Sequence, residues 1–185
     1  MSVADLAKYG ALLYFFGIGA WFATAQAHFD RSSQAKPLLI IVVVLSTILS
    51  LVTIVIALRS SLPIERLVTA MVVASAAALL FRWALKTIAT KNLGLVFSGL
   101  VPPEVVQNGP YRWIRHPLYT AYSLFWISCA FLTASLLSCV LAGFVVILYI
   151  VAARAEERDI IQSKLGPAYE EYRKRTGLLL PRLFR

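Results

Sequence analysis

Residues 108–121 read Asn-Gly-Pro-Tyr-Arg-Trp-Ile-Arg-His-Pro-Leu-Tyr-Thr-Ala, and side chains able to hold a ligand are concentrated here. Gly109-Pro110 signals a turn, and Pro117 is well tolerated only in the first turn of a helix, where its missing N–H costs nothing. A helix is therefore expected to start near Pro117. Its unpaired N–H groups and positive dipole end would face Tyr111, Arg112, Arg115 and His116, which makes the mouth of this helix attractive to a carboxylate or other anion. Arg, Trp and Tyr at such a place are also ordinary membrane-interface anchors, so residue types alone fit both readings.

A second cluster follows an apolar stretch: Arg154-Ala155-Glu156-Glu157-Arg158-Asp159. Arg154 and Glu157 are three apart and share a helix face. A carboxylate there can accept a ligand's hydroxyls, and an arginine can orient an anion. Taken by itself the cluster reads equally as the solvated end of a helix. Cys129 and Cys139 lie in apolar sequence without CxxC spacing or nearby histidines, so no metal site is expected.

The elements that must position these clusters are apolar helices. With 59% hydrophobic residues, 15% charged ones and a mean hydropathy of +0.76, the chain is far from a soluble domain and typical of a polytopic membrane protein. The net charge of +9 does not point to nucleic acid, because the basic residues gather at the ends of apolar segments, where anionic headgroups lie. We expect an all-α single domain with about five transmembrane helices, near 8–29, 38–58, 63–86, 117–133 and 136–155. A loop over 87–116 and a cytoplasmic helical tail over 156–185 complete it. The first span ends in Ala-Thr-Ala-Gln-Ala, but Asp5 and Lys8 ahead of it cancel, so a retained span is expected instead of a cleaved export signal. His28 and Asp30 at its end read as solvated interface residues. The Ala-rich run at 74–78 suits a helix packed inside the bundle.

Residues 118–153 carry no charge over about 36 positions, roughly 54 Å as one helix and nearly twice the bilayer core. The chain is expected to fold back, most simply near Thr133-Ala134-Ser135, giving a hairpin of two short helices; no Gly or Pro marks the turn, and a kinked, tilted helix is the alternative. For five spans, two basic residues at Arg31 and Lys36, five from Arg82 to Arg115 and eight from Arg154 onward fall on one side, against Lys8, Arg59 and Arg66 on the other. The positive-inside rule then places the C-terminus and both clusters at the cytoplasmic face.

Gly109-Pro110-Tyr111 with Arg115-His116-Pro117-Leu118-Tyr119 resembles the Gly-x-Tyr, Arg-His-Pro-x-Tyr-x-Gly pattern of the isoprenylcysteine carboxyl methyltransferase and phospholipid methyltransferase family of integral membrane enzymes, with Ala121 in place of the final Gly. The second signature of that family is similar to Glu156-Glu157, Leu165-Gly166, Tyr169, Tyr172 and Leu180-Pro181. Residues 93–98 resemble the lead-in to the first signature. The resemblance implies S-adenosyl-L-methionine as cofactor, held by Glu104, Val105, Val106, Tyr111, His116, Pro117, Leu118, Tyr119 and Glu157. It implies a lipidic acceptor entering from the bilayer, with Arg154 and Glu156 as catalytic residues.

A carboxylate acceptor of the isoprenylcysteine type is already ionised and needs only an orienting cation, Arg154, whereas a phospholipid amine must first lose a proton to Glu156 or Glu157. The sequence supplies both groups, and carboxyl O-methylation is the expectation retained. Sterol reductases that bind NADPH share a similar Arg-His-Pro-x-Tyr turn and Gly-x-x-Tyr-x-x-Tyr tail but lack the Glu-Glu pair. A protein without enzymatic activity that keeps the turn as structure is the third reading.

Overall fold

The structure, a computed structural model, describes residues 3–29, 37–89 and 104–182. The expected loop lead-in at 93–98 and Asp30 lie outside the described residues, as does most of the loop ahead of residue 104. Six α-helices follow in order: α1 (Val3–Phe29), α2 (Pro37–Arg59), α3 (Ile64–Ala89), α4 (Pro117–Thr133), α5 (Leu136–Ile161) and α6 (Gly166–Arg175). A 3-10 turn, Gly109–Arg112, precedes α4. Among the described residues there is no strand, only an isolated parallel bridge between Ile114 and Gly177. Three stretches, Asp5–Thr24, Ile64–Ala89 and Leu136–Ile161, are long and apolar enough to cross a membrane, and Val44–Arg59 is a shorter apolar one.

The helix α4 lies at the centre of the bundle. Apolar nearly all round, it buries residues from Pro117 through Thr133 with few exceptions, as expected for a helix walled in on several sides. The densest packing is against α3, with α5 and α2 also in contact. On α3 the buried positions are Leu67, Ala70, Ala74, Ala77, Phe81, Ala84 and Ile88, a three-four alternation dominated by alanine. That alternation keeps one seam turned to a neighbour, and the small side chains let backbones approach closely. On α1 the buried set Ala11, Phe15, Ile18 and Phe22 has the same spacing. Phe22 stacks near Phe81 (ring centroids 4.3 Å) and meets Tyr122 edge-on. The outward residues of α1, α2, α3 and α5, such as Leu13, Leu51, Val72 and Ile147, are apolar and exposed, as befits helix faces that meet lipid.

The chain reverses between α4 and α5 over Ala134 and Ser135. Ala134 takes a left-handed conformation (φ 46°) that caps α4 through its N–H to Ala130 O. The second arm of this hairpin differs from the expectation of a short helix ending near 155, since α5 continues through Ile161. Its buried residues are Ser138, Ala142, Val145, Tyr149, Ala153 and Glu157, a single stripe that runs the length of the helix. The 18 residues from Leu136 to Ala153 span about 27 Å, close to a bilayer core, so the charged last two turns project beyond it. Glu156 and Glu157 are therefore held on a rigid helix and not in a tail. Beyond Ile161, Gly166 starts α6 so close to Ile161 O that an added Cβ would lie 2.3 Å from it.

Candidate active site

Where α4 begins and α5 ends, residues from four segments converge. Pro117 opens α4 behind an N-cap at His116, whose backbone (φ −123°, ψ 63°) is already outside the helical region. The preceding turn is fixed by Gly109, whose φ of +58° favours glycine and whose Cβ position would fall 2.3 Å from Thr87 Oγ1 on α3. Thus the turn lies hard against the end of α3. The His116 ring stacks on Tyr119 (5.7 Å, 23°), Tyr119 on Tyr149 (5.5 Å, 21°), and Tyr149 on Tyr122 (5.7 Å, 25°), a ladder leading from the helix mouth into the bundle. Trp126 Nε1 donates to the Tyr149 hydroxyl at 3.2 Å and fixes its inner end.

The carboxylates complete the cluster. Tyr119 donates its phenol to Glu156 Oε1 at 2.6 Å, and His116 Nδ1 is 3.6 Å from Glu156 Oε2. Glu157 is buried, and its Oε1 accepts from Arg115 Nε at 2.5 Å and from the Tyr169 hydroxyl at 3.1 Å. Burial first, and the Glu157 charge second, push the Tyr169 phenol well above its ordinary pKa, so it remains a donor across the physiological range. His116 Nε2 is 3.4 Å from Glu157 Oε1, near enough for attraction but not aligned as a hydrogen bond. The buried Tyr111 hydroxyl and His116 Nε2 have no hydrogen-bond partner among the described residues. Burial, then Tyr172 and the Glu156 carboxylate, raise the Tyr111 phenol too, so it also stays protonated. These two buried polar atoms make this end of the bundle a candidate place for a polar ligand.

The residues expected from sequence are thus distributed unevenly. His116, Tyr119, Glu156 and Glu157 meet directly, Tyr111 lies close enough to feel the Glu156 charge, and Pro117 and Leu118 are buried in the first turn of α4. Val105 and Val106 are half-buried ahead of the turn, Val106 packing on the core, and Glu104 is exposed. Arg154 is exposed, because the buried stripe of α5 falls on Ala153 and Glu157 and turns the residue between them outward. The cation beside Glu157 is Arg115, with the partly exposed Arg173 Nε 3.9 Å from Oε2. Arg115 and Tyr169 both stood in the recognised patterns, yet nothing in the spacing indicated that they share one carboxylate oxygen. Among the described residues no group of His, Cys, Asp or Glu is arranged to hold a metal ion.

An apolar helical bundle carrying a histidine, two glutamates and a run of tyrosines at one end defines a membrane-type protein with a candidate site at that end. Residues 65–168, more than half of the sequence, match the phospholipid methyltransferase family, and the chain belongs to it. Methanethiol S-methyltransferase 2 of Bradyrhizobium diazoefficiens is 44% identical over 75 residues, 40% of this chain and 27% of its own. The nickel-cobalt-cadmium resistance protein NccN of Alcaligenes xylosoxydans xylosoxydans is 33% identical over 90 residues, 48% of this chain and 41% of its own. Methanethiol S-methyltransferase of Mycobacterium tuberculosis is 36% identical over 73 residues, 38% of this chain and 28% of its own. The chain matches only about a quarter to two fifths of the length of these relatives.

Proposed function

We propose that this chain transfers a methyl group from S-adenosyl-L-methionine to a small neutral nucleophile, foremost a thiol, at the junction of α4 and α5. The observation that carries this is the convergence of His116 and Tyr119 with Glu156 and Glu157 across about 40 residues of sequence. The site fits the cofactor by charge: it gathers two carboxylates, Glu156 and Glu157, at one end of the bundle, with Arg115 and more distantly Arg173 beside Glu157, and such a pair suits a positively charged sulfonium. The phosphates of NADPH would meet those carboxylates unfavourably. The orphan Tyr111 hydroxyl and His116 Nε2 are the donors available to polar groups of the bound molecule.

When bound, S-adenosylmethionine supplies an activated methyl whose S–C bond breaks as the acceptor sulfur forms its own. The protein's part is alignment and exclusion of water, since direct displacement at a sulfonium needs both more than strong acid or base help. Glu157, clamped through Oε1, would offer Oε2 to the ribose hydroxyls, and the ring of Tyr111 would flank the cation. Glu156, oriented by the Tyr119 phenol, stands to take the thiol proton. Val105 and Val106 contribute apolar contacts at the rim.

Carboxyl O-methylation of an isoprenylcysteine-like acceptor is the second reading, favoured by exposed Arg154 one turn before the site. It requires a cation to orient the acceptor, and Arg115 is already committed to Glu157. Phospholipid amines remain the acceptors suggested by the family description. By the positive-inside asymmetry this end faces the cytoplasm, where the cofactor is found. The test incubates purified protein in lipid nanodiscs with methyl-tritiated S-adenosylmethionine and an alkanethiol, a farnesylated cysteine or phosphatidylethanolamine in turn. Volatile label from the thiol supports the proposal; base-labile or base-stable label from the others moves it to the ester or amine. No transfer, with NADPH binding and no response to S-adenosylhomocysteine, would end it.

A further inference from the structure

The C-terminal segment of the described chain is laced to the site by main-chain bonds. Arg115 N donates to Gly177 O at 2.9 Å, His116 N to Leu178 O at 3.1 Å, and Gly177 N to Trp113 O at 3.1 Å. Thr120 Oγ1 donates to Leu179 O at 2.8 Å, and the Tyr172 hydroxyl to Tyr111 O at 2.6 Å. The Arg115 side chain joins the carbonyls of this tail to the acidic end of α5. The Arg115 guanidinium donates through Nε to Glu157 Oε1, and through Nη1 to Thr176 O at 2.5 Å and Arg173 O at 3.3 Å.

From this geometry we infer that Arg115, braced by residues 176–179, is a positioning residue that fixes which oxygen of Glu157 meets the cofactor. The inference rests on the methyltransferase reading and deepens it. Arg115 and Tyr169 both occupy Oε1, so Oε2, which among the described residues has Arg173 Nε at 3.9 Å as its neighbouring cation, is the atom left to accept a ligand hydroxyl. A planar fork holds Glu157 and the Thr176 carbonyl at a fixed separation and angle. Lysine, a point charge on a flexible stem, keeps the charge and loses that geometry. His116 is set by the same device, because its main-chain N–H is pinned to Leu178 O beside the arginine. Residues 177–179 are in this sense part of the site through their main chain alone.

The test is a double-mutant cycle on the full chain in nanodiscs, with S-adenosylhomocysteine affinity measured by calorimetry. Arg115→Lys is expected to weaken binding about tenfold in the native background, roughly 1.4 kcal/mol, and less than about twofold once Glu157→Ala has removed the carboxylate it positions. Equal losses in both backgrounds, or no loss, would overturn the inference, because a merely structural arginine acts independently of Glu157. Gly177→Ala supplies a second variant, since its Cβ would fall within 1.7 Å of Leu180 O and must loosen the tail while leaving the Arg115 and Glu157 side chains intact. Weaker binding in that variant supports the bracing role, and native affinity refutes it. Hydrogen exchange of ligand-free protein gives a readout independent of cofactor. Peptides covering 114–120 and 176–181 should exchange faster in Arg115→Lys, and unchanged protection refutes the brace. Native protein that binds no S-adenosylhomocysteine would sink the methyltransferase reading, while the exchange data still decide whether Arg115 ties the tail to Glu157.

Discussion

Replacing Glu157 separates two things the site asks of one carboxylate. In Glu157→Ala the Arg115 guanidinium, its side chain 9% exposed, loses its counter-charge. Breaking a buried ion pair by removing one partner costs about 3–5 kcal/mol. Arg115 keeps the Thr176 and Arg173 carbonyls, which places the expected loss at the low end, near 3 kcal/mol. In Glu157→Gln the amide oxygen still accepts from Arg115 and Tyr169, so a charge-assisted bond becomes a neutral one at a cost of about 1–2 kcal/mol. The alanine variant should therefore be the less stable by about 1–2 kcal/mol, read from equilibrium unfolding in mixed detergent micelles.

Cofactor binding should not follow the same order of severity. If Oε2 accepts the ribose hydroxyls, Gln already weakens that contact, by about tenfold to a hundredfold in S-adenosylhomocysteine affinity. Asp at the same position keeps the charge but withdraws it by one methylene, and should bind weakly too. Equal stability of the Ala and Gln variants would refute the buried pair, and native affinity in Glu157→Gln would remove Glu157 from the cofactor site.

Gly109→Ala should cost about 2–3 kcal/mol, combining the left-handed backbone penalty with the contact on Thr87, and Thr87→Ala should recover only the contact, as unfolding midpoints would show. Tyr119→Phe removes the donor to Glu156, whose side chain is 25% exposed. Stability should fall by no more than about 1 kcal/mol while the rate of label transfer drops, and a rate equal to that of native protein would argue against Glu156 as proton acceptor. Lys8 Nζ bridges Leu58 O and Ser60 O at the far end of the bundle. Lys8→Met should lower the unfolding midpoint by an amount worth about 0.5–1 kcal/mol and leave cofactor affinity untouched.

What the sequence made legible depended on local chemistry. Pro117 has one comfortable place in a helix, and α4 begins there; a charge-free run too long for one crossing has to turn, and it turns at Ala134 although no glycine marks the spot. The extension of α5 past Ala153 was not legible, because a change from apolar to charged residues marks where a helix meets water and not where its hydrogen bonds stop. Arg154 shows the limit most clearly. Three-residue spacing puts it on the same broad face as Glu157, but which part of a face is buried depends on the neighbouring helix, and α2 and α4 select the line through Tyr149, Ala153 and Glu157. The cation that does reach Glu157 is 42 residues upstream. Its partner segment, residues 176–179, joins it through main-chain atoms, whose hydrogen bonding leaves no trace in residue type. A site assembled from side chains on two helices and a backbone clasp can therefore be half read from motifs, and the unread half is the part that sets its geometry.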